Sequence, residues 1–405
     1  MPSVCLYLHV HQPRRIKNFS VFDIGNNHSY FDDLKNKKYL DRIAKKSYLP
    51  TNNILLELIK KNKGKFKVSL SITGVFLDQL EEFSPETLKS FQELVNTGCV
   101  EILGETYHHS LASLYSKKEF EDQVKLHDKK IKKLFNLKPK VFRNTELIFN
   151  NEIAKKAQDM GYKAILAEGV DRILDWRSPN FIYKVKGASK INILLKNYRL
   201  SDDIAFRFSS KEWPEWPLTT EKYASWINQV NGNGETVNLF MDYETFGEHQ
   251  WQETGILDFL KSLPKEILKN NDNNFKTPSE LIKTYKPKDV LDFKETVSWA
   301  DNERDVSAWL GNSMQQSAIK SLYDLEKKIK KTNNSELIEE WRNLQTSDHF
   351  YYMCTKWFND GDVHKYFNHN ETPYEAFINF MNIFNDLKIK QDKNLKISSK
   401  QTKLA

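Results

Sequence analysis

Short apolar runs that end in polar residues recur through the first 260 residues of the chain. The first run covers residues 4–10, and a later one covers 237–242. Runs of this length, rich in branched and aromatic side chains, are typical of buried strands, and helical patterns lie between several of them. The predicted strands are 4–10, 67–72, 99–103, 139–143, 164–167, 191–196 and 237–242.

Seven buried strands with interleaved helices predict a parallel sheet. Polar clusters begin where several of these strands end, for example around Glu105, Glu146 and Asp242. In (β/α) barrels the functional groups lie on the face formed by the carboxyl ends of the strands, whereas an open sheet gathers them at a switch point. A barrel therefore explains the pattern best. No strand is followed by a Gly-rich phosphate loop, which argues against nucleotide chemistry.

The pattern becomes helical after about residue 258. Residues 277–280 have the sequence of a capping box, and further helices are predicted at 335–354 and 374–387. We expect a barrel domain at 1–260, a helical domain at 261–387 and a disordered tail at 388–405, where the apolar period is lost and Lys is frequent. One apolar helix stripe consists of Leu310, Met314, Ala318, Leu322, Leu325 and Ile329.

Composition excludes several classes of protein. The net charge of +7 over 405 residues comes mainly from Lys runs such as 129–133 and 327–331, which we interpret as solvated helix faces rather than a nucleic-acid site. The 3 cysteines are far apart and form no metal or disulfide pattern, which is typical of a reducing cytoplasm. Residues 1–5 lead directly into a strand without a secretory signal, and no stretch approaches the length of a membrane span.

Two acidic clusters at strand ends are the candidate chemistry. Asp242, Glu244, Glu248 and His249 follow the strand at 237–242, and Glu146 follows the strand at 139–143. A solvated acidic loop would have a similar composition. However, cleavage of a glycosidic bond requires a pair of carboxyl groups, and the ends of two strands supply such a pair here.

Histidines form the second candidate cluster. His9 and His11 are two residues apart on a strand that Pro13 ends, and they therefore point to the same side. Such a pair can bind a metal, but it is equally explained by one core and one cleft histidine. We favour the second interpretation, and we expect no metal and no cofactor.

Five short motifs together resemble the signature regions of glycoside hydrolase family 57, and in particular its α-amylase-like group. They occur in order over most of the chain: His11-Gln12-Pro13, residues 98–102 with the following cluster at 105–110, residues 142–147, residues 241–249 and residues 299–316. The resemblance implies a (β/α)7 barrel, followed by a helical domain that closes the cleft. It also implies action on α-1,4-glucans such as glycogen, starch or maltodextrin.

The resemblance also implies roles for individual residues. Glu146 matches the nucleophile of a retaining mechanism and Asp242 matches its general acid/base, and Glu146 and Glu244 are expected to raise the pKa of Asp242 by like-charge repulsion. Trp213, in the sequence Trp-Pro-Glu-Trp-Pro, has the rigidity of a sugar platform but is equally explained by a structural turn. The residues expected to bind substrate are His11, Glu101, His108, Trp213, Glu244, His249, Trp299, Asp305 and Trp309.

Three further functions are compatible with these residues. A 4-α-glucanotransferase or a branching enzyme would use the same catalytic pair and differ only in whether water or a sugar hydroxyl resolves the intermediate. A metal-dependent polysaccharide deacetylase would use His9, His11 and an acid to hold zinc. A non-catalytic glucan-binding protein would need neither carboxylate, and the presence of both Glu146 and Asp242 argues against it.

Overall fold

The computed structural model describes residues 2–356 and 370–401. Contacts within the chain divide it into two compact units. The first unit comprises Met1–Gln12, Lys37–Thr106 and Val124–Trp299, and the second comprises Pro13–Asn36, Tyr107–Gln123 and Ala300–Ala405. Residues 1, 357–369 and 402–405 lie outside the described part of these units.

Twelve strands lie in the described part of the chain, and seven of them form the parallel core of the first unit. They are β1 Ser3–Val10, β2 Val68–Ile72, β3 Val100–Ile102, β4 Val141–Arg143, β5 Ala164–Glu168, β6 Ile182–Val185, β7 Ala188–Lys196, β8 Thr236–Asp242, β9 Phe246–Gly247, β10 Gln250–Trp251, β11 Asn274–Phe275 and β12 Val290–Leu291.

The seven core strands, β1 to β5, β7 and β8, are distributed over two sheets. In the first sheet β1 pairs in parallel with β2, β8 and β11, and β2 pairs with β3. In the second sheet the order is β12-β6-β7-β5-β4, with β6 antiparallel to β7. A parallel bridge between Gly104 and Phe142 links β3 to β4. Between β7 and β8 the link is a hydrogen bond. The N–H of Asn197, the residue after β7, donates to the carbonyl of Asn238 in β8 at 2.9 Å. The sheets approach a ring of seven parallel strands without closing it, and the predicted seven-stranded barrel is confirmed in this incomplete form.

Helices fill the connections of the first unit. Their polar and apolar residues follow the expected 3.6-residue period, and Pro or Asn begins several of them, as helix starts require. They are Asp33–Ile43, Leu49–Lys61, Gly74–Phe83, Pro85–Asn96, Lys117–Phe135, Asn151–Asp159, Asp171–Leu174, Tyr198–Ala205, Thr220–Asn228, Ile256–Leu268 and Pro278–Thr284. Helices Asp33–Ile43 and Lys117–Phe135 begin in the second unit and end in the first. A π-helical segment, Ala44–Tyr48, precedes helix Leu49–Lys61.

Alternation along the strands separates two cores. On β1, Leu6, Leu8 and Val10 belong to a large cluster shared with the helices, whereas Cys5 and Tyr7 belong to a smaller cluster inside the ring. Since side chains alternate between the faces of a strand, His9 continues the inner series at the carboxyl end of β1. The same reasoning places Arg143 on β4, after the inner Val141, and Asp242 on β8, after the inner Phe240.

The second unit is helical. A helical C-terminal region was predicted, but this unit begins its last segment at Ala300 and not at residue 261, and it also includes Pro13–Asn36 and Tyr107–Gln123. Trp309 and Trp341 are the largest buried side chains among its described residues. The apolar stripe that suggested one helix is divided among three helices, Ser307–Leu310, Ser313–Asp324 and Glu326–Lys331, and Leu325 lies between the last two. Helix Pro373–Gln401 continues through most of the segment that the sequence suggested is a disordered tail. Its helices are Ala112–Tyr115, Ser307–Leu310, Ser313–Asp324, Glu326–Lys331, Ser335–Asn343, Ser347–Tyr351 and Pro373–Gln401. Within the described residues, no helix has the length and apolar character needed to cross a membrane.

Candidate active site

His9 lies between two carboxylates at the carboxyl end of the barrel. Strands β1 and β8 are in register so that His9 is opposite Asp242. The His9 Nδ1 atom lies 3.3 Å from Asp242 Oδ1, and its Nε2 atom lies 3.5 Å from Glu105 Oε2. The side chains of His9 and Glu105 are almost completely buried, whereas 39% of the Asp242 side chain is exposed. Asp242 is therefore the member of this group that a substrate can reach.

Glu146 follows β4 in an unusual backbone conformation. Its φ and ψ of 56° and 25° lie in the left-handed region, and the next residue, Leu147, also has a positive φ of 49°. A residue with a side chain is held there at a cost of about 1–3 kcal/mol, and such conformations are frequent at functional sites. Trp299 contacts this residue twice. Its indole N–H donates to Glu146 Oε2 at 2.8 Å, and its main-chain N–H donates to the Glu146 carbonyl at 3.2 Å.

Two cations contact the ring of Trp299. The guanidinium carbon of Arg143 lies 4.9 Å from the ring centroid, and the ammonium nitrogen of Lys196 lies 5.7 Å from it. Both cations are buried. Lys196 forms ion pairs with Glu168 and Asp202, at 3.3 and 2.9 Å, and Arg143 lies 4.0 Å from Glu105.

The pKa values of Asp242 and Glu244 are shifted in opposite directions. Burial by itself raises the pKa of Asp242, but the hydrogen bond and positive charge of His9, with a smaller contribution from His249, lower it overall. Burial, followed by the negative charge of Asp242, raises the pKa of Glu244 from 4.5 to about 8, although Tyr48 and Gln12 donate hydrogen bonds to its carboxyl group. The expectation of a raised pKa for Asp242 was therefore wrong for the substrate-free protein, because His9 outweighs the like-charge repulsion from Glu146.

Other predicted substrate-binding residues of the first unit have protein partners. His11 stacks on His9, with ring centroids 5.9 Å apart, and its Nδ1 atom lies 2.8 Å from Thr73 Oγ1. Burial lowers the pKa of His249, which favours a neutral imidazole. Trp213 is half-buried, and the centroid of its ring lies 6.2 Å from that of Trp226.

Glu101 is not brought to this group. It lies in the middle of β3, in register with Ser69, whereas His9 is in register with Ser71. Its carboxylate accepts hydrogen bonds from the Ser279 N–H, at 2.9 Å, and from the Ser279 hydroxyl. These contacts tie β3 to the first turn of helix Pro278–Thr284, and a role of Glu101 in sugar binding stays a prediction.

Three predicted residues belong to the second unit. His108 is fully buried and its Nε2 atom lies 2.9 Å from Glu339 Oε1. Asp305 accepts hydrogen bonds from the N–H and hydroxyl of Ser307, at the start of helix Ser307–Leu310. Trp309 is 1% exposed within that unit. Their assignment to substrate stays a prediction.

Sequence reasoning assigned no role to four participants, namely Glu105, Arg143, Lys196 and Tyr48, although it placed Glu105 in a polar cluster at the end of a predicted strand. The first three occupy strand ends, and Arg143 and Lys196 could have been noticed as single charges at the ends of apolar runs. Tyr48 gave no signal, because it lies 196 residues from Glu244, the residue it contacts. His9 and Glu105 are residue types that zinc accepts as ligands, which keeps a metal-dependent function open to experiment.

Comparisons with known proteins identify the family of the chain. The sequence model of glycosyl hydrolase family 57 matches residues 5–294 of this chain. A protein of Methanocaldococcus jannaschii, whose name gives it as a candidate alpha-amylase, is 48% identical over 349 residues, which are 84% of this chain and 73% of that protein.

Two solved structures share the fold at low sequence identity. The 4-alpha-glucanotransferase of Thermococcus litoralis is 16% identical with a TM-score of 0.67, and the match covers 86% of this chain and 56% of that one, so this chain spans little more than half of that enzyme. The branching enzyme of Pyrococcus horikoshii is 15% identical with a TM-score of 0.67, and the match covers 90% of this chain and 87% of that one. This likeness shows the incomplete (β/α)7 barrel, and the match to the family extends over most of the chain. The chain is therefore a glycoside hydrolase that belongs to glycosyl hydrolase family 57.

Proposed function

We propose that this chain hydrolyses α-1,4-glucans in the manner of an α-amylase, with retention of configuration. Glu146 is the nucleophile and Asp242 is the general acid/base. The observation that carries the proposal is the difference between their surroundings. Glu146 is fixed by an indole N–H and a strained backbone, whereas Asp242 is partly exposed beside an imidazole. A nucleophile must be held still, and an acid/base must be able to exchange its proton.

The reaction would proceed in two displacements. In the first, a Glu146 oxygen forms a bond to the anomeric carbon while the bond to the leaving oxygen breaks, and Asp242 gives its proton to that oxygen. In the second, Asp242 takes a proton from water, whose oxygen bonds to the anomeric carbon and releases Glu146 as a carboxylate. The proton returns to Asp242, so the enzyme is regenerated.

The first step requires a protonated Asp242, but its pKa is lowered in the substrate-free protein. A sugar bound over the exposed part of Asp242 would remove water from the carboxylate. Since loss of solvation favours the neutral form, substrate binding should raise this pKa and promote proton uptake. Glu244 already retains its proton near neutral pH and therefore adds no full negative charge beside the substrate.

The substrate class is supported by the relatives. The names of the M. jannaschii and T. litoralis proteins refer to an alpha-amylase and a 4-alpha-glucanotransferase. Retention depends on the separation of the two carboxyl groups, which is about 5–5.5 Å in retaining enzymes and about 6.5–9.5 Å in inverting ones. The anomer formed first in solution distinguishes the two.

The test is incubation of the purified protein with maltoheptaose, followed by separation of all products and by NMR of the first anomer formed. Glu146→Gln and Asp242→Asn are compared in parallel. Shorter oligosaccharides released as α-anomers, and lost in both variants, would support the proposal. Products longer than the substrate would indicate a transferase, and β-anomers would contradict retention.

Further controls distinguish a structural role of Glu146, a deacetylase and a non-catalytic binding protein. If Glu146→Gln retains full turnover and only lowers the melting temperature, Glu146 has a structural role. If wild-type protein leaves maltoheptaose unchanged but releases acetate from acetylated polysaccharide, and a chelator abolishes that release, the metal-dependent deacetylase is correct. Binding of glycogen without any product would indicate a non-catalytic protein.

A further inference from the structure

Trp299 contacts Glu146 at two points, once through its side chain and once through its main chain. Its ring N–H donates to the carboxylate, and its main-chain N–H donates to the carbonyl of the same residue. One residue therefore fixes both the backbone and the side chain of Glu146. A single side-chain hydrogen bond would leave the backbone free to relax out of its left-handed conformation.

The segment that carries Trp299 is itself paired with the segment that carries Glu146. Phe149 and Val297 form an antiparallel bridge with two hydrogen bonds of 2.9 Å. Asn151 extends this pairing, since its N–H donates to the Phe293 carbonyl at 3.2 Å and its side chain accepts from the Phe293 N–H at 3.0 Å. The distance between Trp299 and Glu146 is thus set by a short ladder and not by the indole alone.

Two buried cations then act on the indole ring. Arg143 is fully buried, and Lys196 is 4% exposed. Their positions at 4.9 and 5.7 Å from the centroid are within the range of cation–π attraction, which is stronger when both partners are shielded from water. Positive charge beside the ring withdraws electron density from it, and the ring N–H becomes a better donor to a carboxylate.

We propose that Trp299 is a positioning residue for Glu146, and that Arg143 and Lys196 hold and polarise its indole. Trp299 was expected to bind substrate directly, whereas in this proposal it acts through Glu146. The inference rests on the proposed function, because it assigns Trp299 to the nucleophile of that reaction. It predicts that Trp299 affects turnover through Glu146 and contributes little to substrate affinity.

The first experiment compares Trp299→Phe with Trp341→Phe. Trp341 is a matched control, because its buried indole N–H also donates a hydrogen bond, to the Leu322 carbonyl at 2.9 Å, in the second unit. With 4-nitrophenyl α-maltoside as substrate, Trp299→Phe should lower kcat roughly ten- to hundredfold, as expected for the loss of a hydrogen bond to a charged group, with little change in KM. The acidic limb of its pH profile should move to higher pH, since ionised Glu146 loses a donor. Trp341→Phe should change neither quantity.

A second experiment places both substitutions in a Glu146→Ala background. Azide can then attack the anomeric carbon, forming a carbon–nitrogen bond as the bond to 4-nitrophenol breaks, and Asp242 protonates the leaving oxygen where needed. If Trp299 acts through Glu146, adding Trp299→Phe should leave the azide-dependent rate unchanged. A sugar-binding role would lower the rate equally in both backgrounds and would overturn the inference.

A further variant covers the possibility that Trp299→Phe fails to fold. Lys196→Met retains the indole and removes one cation, and it should lower kcat by a smaller factor than Trp299→Phe without a large change in KM. Unchanged kcat in both Trp299→Phe and Lys196→Met would overturn the inference. If wild-type protein has no activity on any glucan or maltoside, the proposed function fails first, and that outcome is distinct from an active enzyme that tolerates Trp299→Phe.

Discussion

Glu244→Gln should change the pH dependence of stability in a defined direction. The Glu244 side chain is 5% exposed, and the Tyr48 hydroxyl and the Gln12 amide both donate to its Oε1 atom. A glutamine can retain both contacts, because its amide oxygen replaces Oε1 and its NH2 group replaces the protonated oxygen. The substitution is therefore nearly isosteric with the protonated acid and removes only the ability to ionise.

The magnitude follows from the raised pKa. Burial and the charge of Asp242 raise the pKa of Glu244 to about 8, from 4.5 for an ordinary Glu. Between these values the folded protein binds a proton that the unfolded chain releases, so the free energy of unfolding falls as pH rises. At 1.36 kcal/mol for each pKa unit, the wild type should lose about 3–4 kcal/mol between pH 5 and pH 8 that Glu244→Gln retains.

The assay is urea unfolding of both proteins in steps from pH 5 to pH 8.5, followed by circular dichroism. The difference between the two proteins removes contributions from groups that both contain. Glu57→Gln, at an exposed position of helix Leu49–Lys61, is the matched control and should follow the wild type at every pH. Parallel stability curves for wild type and Glu244→Gln would show that Glu244 does not retain its proton and would refute the reasoning.

Three other outcomes are expected. His9→Gln removes the group that lowers the pKa of Asp242, so the basic limb of the kcat/KM profile should move to higher pH; an unmoved limb would exclude this coupling. Leu194→Ala, inside the ring of strands, should lower the free energy of unfolding by about 2–5 kcal/mol in urea titration, and a loss below about 1 kcal/mol would contradict close packing there. Gly247→Ala should prevent correct folding, because Gly247 has a φ of 109° and an added Cβ would lie 2.0 Å from the Lys46 carbonyl oxygen; a soluble, fully active variant would disagree with that geometry.

Much of the barrel could be predicted because its strands are buried on both faces. Fully apolar runs such as 164–167 are recognisable without knowledge of their partners. The strand Ile182–Val185 was missed, because a hairpin that turns at Gly187 alternates polar and apolar residues only weakly. The continuous stripe through Leu325 suggested one helix, but the side-chain period does not record the interruptions that separate Ser307–Leu310, Ser313–Asp324 and Glu326–Lys331.

The candidate site was predictable in its residue types but not in its electrostatics. Asp242 and Glu146 could be selected from local sequence and family resemblance. The direction of the pKa shift at Asp242 depends on His9, which is 233 residues away. The partner of Glu101, Ser279, is 178 residues away, and that of Glu146, Trp299, is 153 residues away. Such contacts form only when distant strands and loops come together in the folded barrel, and no local pattern encodes them.

The position of β1 at the centre of its sheet has a consequence for synthesis. Strand β1 leaves the ribosome more than 220 residues before β8, and β8 supplies one of its two edges from Thr236 to Asp242. Until then, an apolar strand with unpaired backbone groups is exposed to other nascent chains. The contact that aligns His9 with Asp242 also forms across this interval, so the same pairing covers this edge of β1 and brings these two site residues together. We expect nascent chains that stop before residue 236 to be retained by chaperones, and release to coincide with the acquisition of a structured site.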